Sequence, residues 1–240
     1  MNGLPLSFRD QALHVLPSGA LWWPEEGLLC VSDLHLGKSE RVARRTGAML
    51  PPYETRETLT RLGSDITQTG AAEIICLGDS FDDLVAARDL EAGGIDMLSA
   101  LMAGRRWIWI EGNHDPGPVE IGGTHLAEVA RRGLTFRHIA VPGAAGEVSG
   151  HYHPKARLRA RGRMLSRRCI LVDGDRIILP AYGTYTGGLF CDADPLDRLM
   201  SDGAEAILLP GRDQAPLRMP MPRSPRRSGQ PPADRRTRRG

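Results

Sequence analysis

The stretch that decides the fold is residues 74–82, which read IICLGDSFD. Four consecutive apolar residues predict a short strand buried on both faces, and the glycine after them permits a sharp turn. Residues 28–35 (LLCVSDLH) and 107–115 (WIWIEGNHD) have the same design, an apolar strand that runs directly into polar side chains. Apolar residues at helical spacing lie between these strands, which predicts the order β-α-β-α-β for the first half of the chain.

The second half of the chain has the pattern of a mostly β structure. A helix is expected first, with Thr124 as its N-cap and Gly133 as its end. Short strands are then predicted at residues 135–138, 147–149, 169–172, 176–179 and 207–209. Alternating strands and helices followed by strands alone predict an α/β domain with mixed rather than wholly parallel sheets.

Side chains of the types that commonly bind metals follow the predicted strands directly. In open α/β sheets ligands bind beyond the carboxyl ends of the strands, so we expect these side chains to meet at one edge. In the patterns D-x-H and H-x-H, an extended backbone would point both side chains to the same side. The candidates are Asp33, His35, Asp79, Asn113, His114, Asp115, His138, His151 and His153.

The chemistry of these candidates favours a borderline divalent metal such as manganese, iron or zinc, because carboxylate, imidazole and amide oxygen occur together. There are more candidate ligands than one ion can use. One carboxylate would then bridge two ions about 3.5–4 Å apart, an arrangement used for the hydrolysis of phosphate esters.

Taken together, the motifs DLH, GDSFDD, GNHD and GHYH resemble those of the calcineurin-like metallophosphoesterases, over roughly residues 28–154. A closer resemblance is to the ligase-associated branch of bacterial DNA damage response endonucleases. It rests on DLHLGK at 33–38, RTGAMLPPYETRETLTRL at 45–62, RHIAVPGAAGEVSGHYHP at 137–154 and PAYGTYTGG at 180–188. The resemblance implies two mixed β-sheets that face each other, flanked by helices.

The resemblance also implies roles for single residues. One ion would be held by Asp33, His35 and His153, the other by Asn113, His138 and His151, and Asp79 would bridge both. His114 would act on the leaving oxygen or the phosphate charge without binding metal, with Asp115 as its orienting partner. Two divalent ions, with Mn²⁺ as the first choice, would activate the attacking water. Single-stranded DNA is the implied substrate, and a DNA ligase and a helicase are the implied associates.

His138 is the ligand with the weakest sequence pattern, because no glycine precedes it. Its competitor is His125, which lies inside the helix predicted from Thr124. We prefer His138 because it ends a predicted strand. His14 is expected to be structural or exposed.

Several residues near these motifs have two open interpretations. Asn113, His114 and Lys38 are candidates for contact with a substrate phosphate, although Lys38 could equally be a solvated surface lysine. Asp82 and Asp83 could support the ligands or begin a helix. Residues that could contact nucleic acid or simply form a solvated face or a loop are Arg41, Arg44, Arg45, Tyr182 and Tyr185.

Charge is distributed unevenly along the chain. From Arg212 onward there are nine arginines and two aspartates, a balance of +7, so residues 1–211 carry −5 of the total of +2. This last stretch is rich in proline and has no apolar periodicity. We therefore expect a catalytic domain at 1–211 and a disordered basic tail at 212–240, which either only aids solubility or contacts nucleic acid. A second basic run, RLRARGRMLSRR at 157–168, follows the GHYHP motif and favours a polyanionic substrate.

Composition leaves a globular protein as the default. Contents of 41% hydrophobic and 25% charged residues are ordinary, and 240 residues can bury one sizeable core. No apolar run approaches the ~18 residues of a membrane helix, and the N-terminus lacks the order of a signal peptide. The four cysteines form no C-x-x-C pair. They indicate small buried residues in a reducing compartment, so the cytosol is expected.

Three classes of function remain open at this point. The first is an endonuclease or phosphodiesterase on single-stranded DNA. The second is a phosphoesterase of the same superfamily that acts on nucleotides, pyrophosphate links or phosphoproteins. The third is a scaffold that has lost its metals, which the complete ligand set argues against.

Overall fold

The computed structural model describes residues 3–47, 53–88, 90–117, 121–160, 162–209 and 214–224. These residues form two mixed β-sheets that face each other, with helices on the outer faces. The predicted fold class is therefore confirmed. No helix within the described ranges is both long and apolar enough to cross a bilayer.

The first sheet has seven strands in the order β1 to β7. Its strands are β1 (Leu4–Phe8), β2 (Gln11–Val15), β3 (Leu21–Trp23), β4 (Leu28–Val31), β5 (Glu73–Leu77), β6 (Arg106–Ile110) and β7 (Thr124–Leu126). Strands β1 to β4 pair antiparallel, whereas β4 to β7 pair parallel. Three of the parallel strands are the apolar runs noted in the sequence, and both of their faces are covered.

The second sheet runs in the order β15-β14-β12-β13-β10-β9-β8, with β11 paired to β12. Strands β9, β10 and β13 are parallel to one another and the other pairs are antiparallel. Its strands are β8 (Glu128–Arg131), β9 (Leu134–Arg137), β10 (Glu147–Ser149), β11 (Lys155–Ala160), β12 (Arg163–Val172), β13 (Arg176–Ile178), β14 (Glu205–Leu208) and β15 (Leu217–Pro220).

The helices cover the outer faces of the two sheets. They are α1 (Lys38–Thr46), α2 (Glu54–Thr69), α3 (Leu84–Arg88), α4 (Ala92–Met102) and α5 (Asp194–Leu199), and a 3-10 turn lies at Pro24–Glu26. Helices α2 and α4 pack on the first sheet, where Leu59 and Leu98 are fully buried. Helix α5 packs on the second sheet through Leu196.

The main core lies between the two sheets. Alternate residues of the central strands point into it, so Cys30 and Ile75 face the second sheet while Leu29 and Ile74 face the helices. Trp23 of the first sheet stacks on Phe136 of the second, with ring centroids 6.5 Å apart. Burial on both faces explains why these strands are continuously apolar instead of alternating.

The helix predicted from Thr124 to Gly133 is wrong. This stretch forms β7 and β8, and a tight turn at Arg132 and Gly133 leads into β9. Both turn residues have positive φ, 40° and 81°, as a two-residue hairpin requires. Gly133 therefore belongs to a hairpin turn and does not end a helix.

Part of the stretch from Arg212 that is predicted to be disordered forms a strand, β15. Strand β15 pairs antiparallel with β14, and Met221 beyond it is 4% exposed. Proline at the end of β15 is tolerated because this strand lies at the edge of the sheet. Residues 225–240, with most of the predicted basic tail, lie outside the described residues.

Candidate metal centre

Five strands deliver the candidate ligands. Asp33 and His35 follow β4, Asp79 follows β5, and Asn113 follows β6 in the first sheet. In the second sheet His138 follows β9, and His151 and His153 follow β10. The structure therefore brings residues from both sheets to one place, at the carboxyl ends of parallel strands.

The backbone at these positions is unusual. Five of the candidate ligands have positive φ although none is glycine: Asp33 (51°), His35 (46°), Asp79 (45°), His151 (70°) and His153 (47°). Such conformations cost of order 1–3 kcal/mol each and persist where the surrounding structure imposes them. The expected extended backbone in D-x-H and H-x-H is therefore wrong. Turns, and not strand alternation, direct these side chains together.

The first group of ligands consists of Asp33, His35 and His153, whose ligand atoms lie within 4.8 Å of one another. Asp33 Oδ1, His35 Nε2 and His153 Nε2 are buried and form no hydrogen bond with the described residues. Asp33 Oδ1 and His153 Nε2 lie 3.1 Å apart without being aligned as a hydrogen bond. Buried polar atoms are almost always satisfied, so three that converge without partners fit a bound cation.

The second group is Asp79, His138 and His151, again within 4.8 Å. His138 Nε2 lies 2.9 Å from Asn113 Oδ1, 3.2 Å from His151 Nδ1 and 3.4 Å from Asp79 Oδ2. A single proton on that nitrogen cannot satisfy three neighbours. A cation among the four side chains can, so this group also fits a divalent metal.

His138 is held with its Nε2 atom toward the ligands. Its Nδ1 lies 2.7 Å from the carbonyl oxygen of Leu77, which can only accept, so we assign the proton to Nδ1. Gly78, with φ of 73°, makes room for the ring, since a Cβ there would lie 2.5 Å from Nδ1. The glycine that makes room for His138 thus follows β5 of the first sheet, whereas His138 itself follows β9 of the second sheet. His125 instead lies in β7, stacked on Trp109 at 6.4 Å.

Electrostatics in the metal-free chain keep the central carboxylates ionised. Burial raises the pKa of Asp79, but the hydrogen bond and charge of His138 outweigh it and hold the pKa at about 2. The pKa of Asp33 is also lowered, because His153, His138 and Ser32 outweigh burial. Burial and the charge of His138 lower the pKa of His151, which favours the neutral imidazole. Ionised carboxylates and neutral imidazoles are the forms that bind metals. Burial lowers the pKa of His138, but the hydrogen bond to Asp79 and the charge of Asp33 outweigh it and raise that pKa, so a metal bound there would displace a proton.

Comparison with solved structures places this geometry among known folds. The nuclease MPE of Pseudomonas putida is similar over 90% of this chain and 100% of that chain, with a TM-score of 0.72 and 26% identity. The chain has a metallophosphoesterase fold. The phosphoesterase Yfce of E. coli is more distant, with a TM-score of 0.38 and 14% identity over 81% of this chain and 99% of that chain. No protein-family model and no curated protein matches the sequence.

Within this metallophosphoesterase fold, His114 lies beside the ligands. Its ring meets that of His35 edge to face, with centroids 5.2 Å apart. Its Nδ1 lies 2.9 Å from the backbone carbonyl oxygen of Asp82, and its backbone N–H donates to Asp79 Oδ1 at 2.8 Å. The carbonyl fixes the proton on Nδ1 and leaves Nε2 as the atom that can act on a substrate.

Asp115 does not orient His114, contrary to the prediction. Its carboxylate accepts backbone N–H groups from Ser80 at 2.7 Å, Phe81 at 3.2 Å and Gly112 at 3.1 Å. Burial raises the pKa of Asp115 to about 6. These three hydrogen bonds of Asp115 thus hold the turns after β5 and β6 together.

Asp82 supports the ligands, and Asp83 begins a helix, so each of the two interpretations applies to one residue. Asp82 is fully buried and accepts from His35 Nδ1 at 2.9 Å, which directs His35 Nε2 toward Asp33 and His153. Asp83 Oδ1 accepts the backbone N–H of Ala86 at 2.6 Å, in the first turn of α3.

Two cations crowd the carboxylate of Asp82. Lys38 Nζ lies 3.5 Å from it, and Arg41 donates to it at 2.8 Å. One ligand atom each from His35, Asp82 and His114 also lie within 4.8 Å of one another. The carboxylate of Asp82 already accepts from His35 and Arg41 and lies near Lys38, so this group is better explained as support for His35. Arg44 similarly pairs with Asp83 at 3.0 Å, which leaves α1 less free to bind phosphates than its sequence suggested.

Tyr182 shapes the site and cannot stack on a nucleobase. It is 1% exposed and donates its hydroxyl to Asp65 at 2.8 Å. The backbone N–H of Tyr182 donates to Ser32 O at 2.7 Å, and that of Gly183 donates to Asp33 O at 3.1 Å. Tyr185 is 45% exposed and remains available.

A cavity of about 740 Å³ lies beside α2, and its lining includes Arg61, Asp65 and Arg168. Arg61 donates to the carbonyl oxygen of Tyr182, and Arg168 donates to that of Ala181 at 2.8 Å. None of the candidate ligands lines this cavity. Arg61 and Arg168 thus bind the carbonyl groups of residues 181 and 182. The backbone N–H groups of residues 182 and 183 donate on the other side, to Ser32 and Asp33.

Proposed function

We propose that this protein is a two-metal phosphodiesterase that cleaves nucleic acid, with single-stranded DNA as its substrate. The observation that carries the proposal is the convergence of two groups of ligand atoms at the ends of five strands. The atoms of the first group have no hydrogen-bond partner among the described residues, and those of the second group crowd around His138 Nε2. The structural similarity to a Pseudomonas putida nuclease supports the choice of nucleic acid.

Each residue has a place in this proposal. Asp33, His35 and His153 would hold one ion, Asn113, His138 and His151 would hold the other, and Asp79 would bind both, as the resemblance implies. In the structure Asp79 Oδ2 lies 3.4 Å from His138 Nε2, and the backbone N–H of His114 fixes Oδ1. Manganese is the first choice of metal, with iron and zinc as alternatives.

When bound, the ions supply an activated water and stabilise negative charge on the phosphate. The protein's own groups then position and protonate. As an imidazolium, His114 would keep its Nδ1 proton on the Asp82 carbonyl, transfer its Nε2 proton to the oxygen that leaves, and end as the neutral imidazole. The carbonyl of Asp82 fixes the orientation of the ring, and Asp115 fixes the turns that carry Asp79 and Asn113.

The wider setting is proposed on the resemblance found in the sequence. A role in DNA repair, with functional association to a DNA ligase and a helicase, follows from that resemblance alone. All four cysteines are free and buried, which supports the expected reducing compartment, the cytosol.

A small-molecule phosphoesterase is the second candidate, since the same ligands can hydrolyse mononucleotides. The test is a screen of single-stranded, duplex, nicked and gapped DNA, RNA, and nitrophenyl mono- and diesters, each with Mn²⁺, Mg²⁺, Zn²⁺ or Fe²⁺. We expect cleavage of single-stranded DNA with Mn²⁺, and loss of that cleavage in Asp79→Asn. Hydrolysis of nucleotides or monoesters without cleavage of any polynucleotide would favour the second candidate. A protein that binds no metal and hydrolyses nothing would instead be the scaffold.

A further inference from the structure

The hairpin formed by β11 and β12 has one packed face and one exposed face. Six residue pairs define its register, from Lys155 opposite Arg168 to Ala160 opposite Arg163. Ala156 is fully buried and Leu158 packs against the core of the second sheet. Side chains alternate along a strand, so the residues between these two point to the other face.

Cations line that exposed face. Lys155, Arg157 and Arg159 follow one another at every second position, which places their Cα atoms about 6.7 Å apart. Met164 lies opposite Arg159 and is 63% exposed, so the face is open to solvent. Within the described residues Arg159 has no ion-pair partner, and Arg157 has only Asp192 at 3.5 Å. A face with three cations and one nearby carboxylate is complementary to a polyanion.

Phe190 holds two of these cations in place. Residues 189–191 run beside β11, and Phe190 forms a parallel bridge with Lys155. The guanidinium carbon of Arg157 lies 3.5 Å from the ring centroid of Phe190, and Lys155 Nζ lies at 5.4 Å. A stacked guanidinium keeps its edge N–H groups free for phosphate oxygens, and less entropy is lost when it binds.

The exposed face begins next to the metal centre. Lys155 is two residues after the ligand His153, and the backbone of Gly188 packs against the His153 carbonyl. Leu189 bonds both to Tyr152 O and, through its own carbonyl, to the N–H of Lys155. A chain bound at the ligands can therefore continue onto the hairpin without leaving the surface.

We propose that this exposed face, Lys155, Arg157 and Arg159 with Phe190, binds the phosphodiester backbone of the nucleic acid strand held at the metal centre. The inference rests on the proposed function, because it presumes a polynucleotide substrate. It goes further by assigning the strand a path, and it predicts that long substrates are favoured over short ones through charge and not through base identity.

The test compares Arg157→Gln/Arg159→Gln with Arg163→Gln, a control on the same hairpin whose side chain starts from the opposite, packed face. Cleavage of a fluorescein-labelled single-stranded oligonucleotide and hydrolysis of a nitrophenyl diester are measured with Mn²⁺ over a range of salt. Two lost phosphate contacts reduce the slope of log affinity against log salt by about 1.4 for a single strand. Over the tenfold change from ~1 M to ~0.1 M salt, this difference in slope lowers the affinity of the variant relative to wild type by about 25-fold.

We therefore expect the ratio of oligonucleotide to diester kcat/KM to fall about 25-fold at low salt in the double variant and to stay constant in Arg163→Gln. Equal ratios in the double variant, the control and the wild type would overturn the inference while leaving the nuclease proposal intact. A wild type that hydrolyses the diester but cleaves no polynucleotide would remove both. Competition by a polyglutamate peptide as strong as by the oligonucleotide would assign the face to an acidic protein and overturn it as well.

Discussion

The substitution Asp82→Asn separates the support of the metal centre from the ligands themselves. Asp82 is fully buried and joins His35 at 2.9 Å, Arg41 at 2.8 Å and Lys38 at 3.5 Å. Although burial raises the pKa of Asp82, the hydrogen bonds from His35 and Arg41 hold it well below its usual range. Asparagine keeps the shape but removes the charge. Its NH₂ group replaces one carboxylate oxygen and would face His35 or Arg41, which are themselves donors.

The expected loss is of similar size in metal affinity and in stability. Removing the hydrogen-bonded partner of a metal-binding histidine weakens metal binding by about 10–100-fold, or ~1.4–2.7 kcal/mol. Loss of the charge-assisted hydrogen bond to Arg41 lowers the free energy of unfolding by about 1.5–3 kcal/mol. Solvent screening reduces this figure, because the Arg41 side chain is 20% exposed. Metal binding must therefore be measured on folded protein, well below the unfolding temperature.

The assay is calorimetric titration of metal-free protein with Mn²⁺, together with nitrophenyl diester hydrolysis at increasing Mn²⁺. We expect weaker binding of one ion, and a rate that recovers toward wild type at saturating Mn²⁺ because every ligand is still present.

Asp83→Asn is the matched control. Asp83 caps α3 and pairs with Arg44, and asparagine is also a good cap. Unchanged Mn²⁺ affinity in Asp82→Asn would refute the reasoning, as would an equal loss in both variants.

Three further predictions use other parts of the structure. His114→Ala should keep both ions yet lose about 10²–10⁴-fold in DNA cleavage, with a much smaller defect on a nitrophenyl diester, whose leaving group needs no proton; equal defects would indicate phosphate positioning instead. Ending the chain at Ser224 should leave the melting temperature unchanged. Ending it at Leu209 removes β15 and the buried Met221 and should lower the free energy of unfolding by about 2 kcal/mol or more. Equal melting temperatures for the two shortened chains would contradict the pairing of β15 with β14. Burial raises the pKa of Asp65 above its unfolded value, so folding favours its protonated form and the wild type loses stability as pH rises from about 4. Asp65→Asn should lack this loss, and parallel stability curves for the two proteins over that pH range would contradict it.

The sequence by itself determined the central strands and the identity of the polar residues after them. Runs such as 74–77 and 107–110 are apolar throughout because both faces are buried, and this pattern is local enough to read directly. Since the strands are parallel, their ends meet at one edge, and the ligands that follow them were expected together for that reason. The mixed sheets were also predicted, from the change of pattern in the second half.

Only the tertiary structure decided features that depend on residues far apart in the chain. Residues 124–131 have a helix-like sequence, but pairing with β6 and β9 makes them strands, since tertiary pairing outweighs weak local propensity. The basic run after residue 154 was evident as charge, yet its division into a packed and an exposed face depends on the register of β11 with β12.

The same dependence on distant contacts governs the site. Asp82 approaches His35 from 47 residues away, Gly78 makes room for His138 from 60 residues away, and no local pattern encodes either contact. The positive φ values of the ligands likewise arise from the turns that the packed sheets impose. Sequence specifies which groups are available for the chemistry, and packing specifies which of their atoms face one another, because that depends on contacts between segments that only folding brings together.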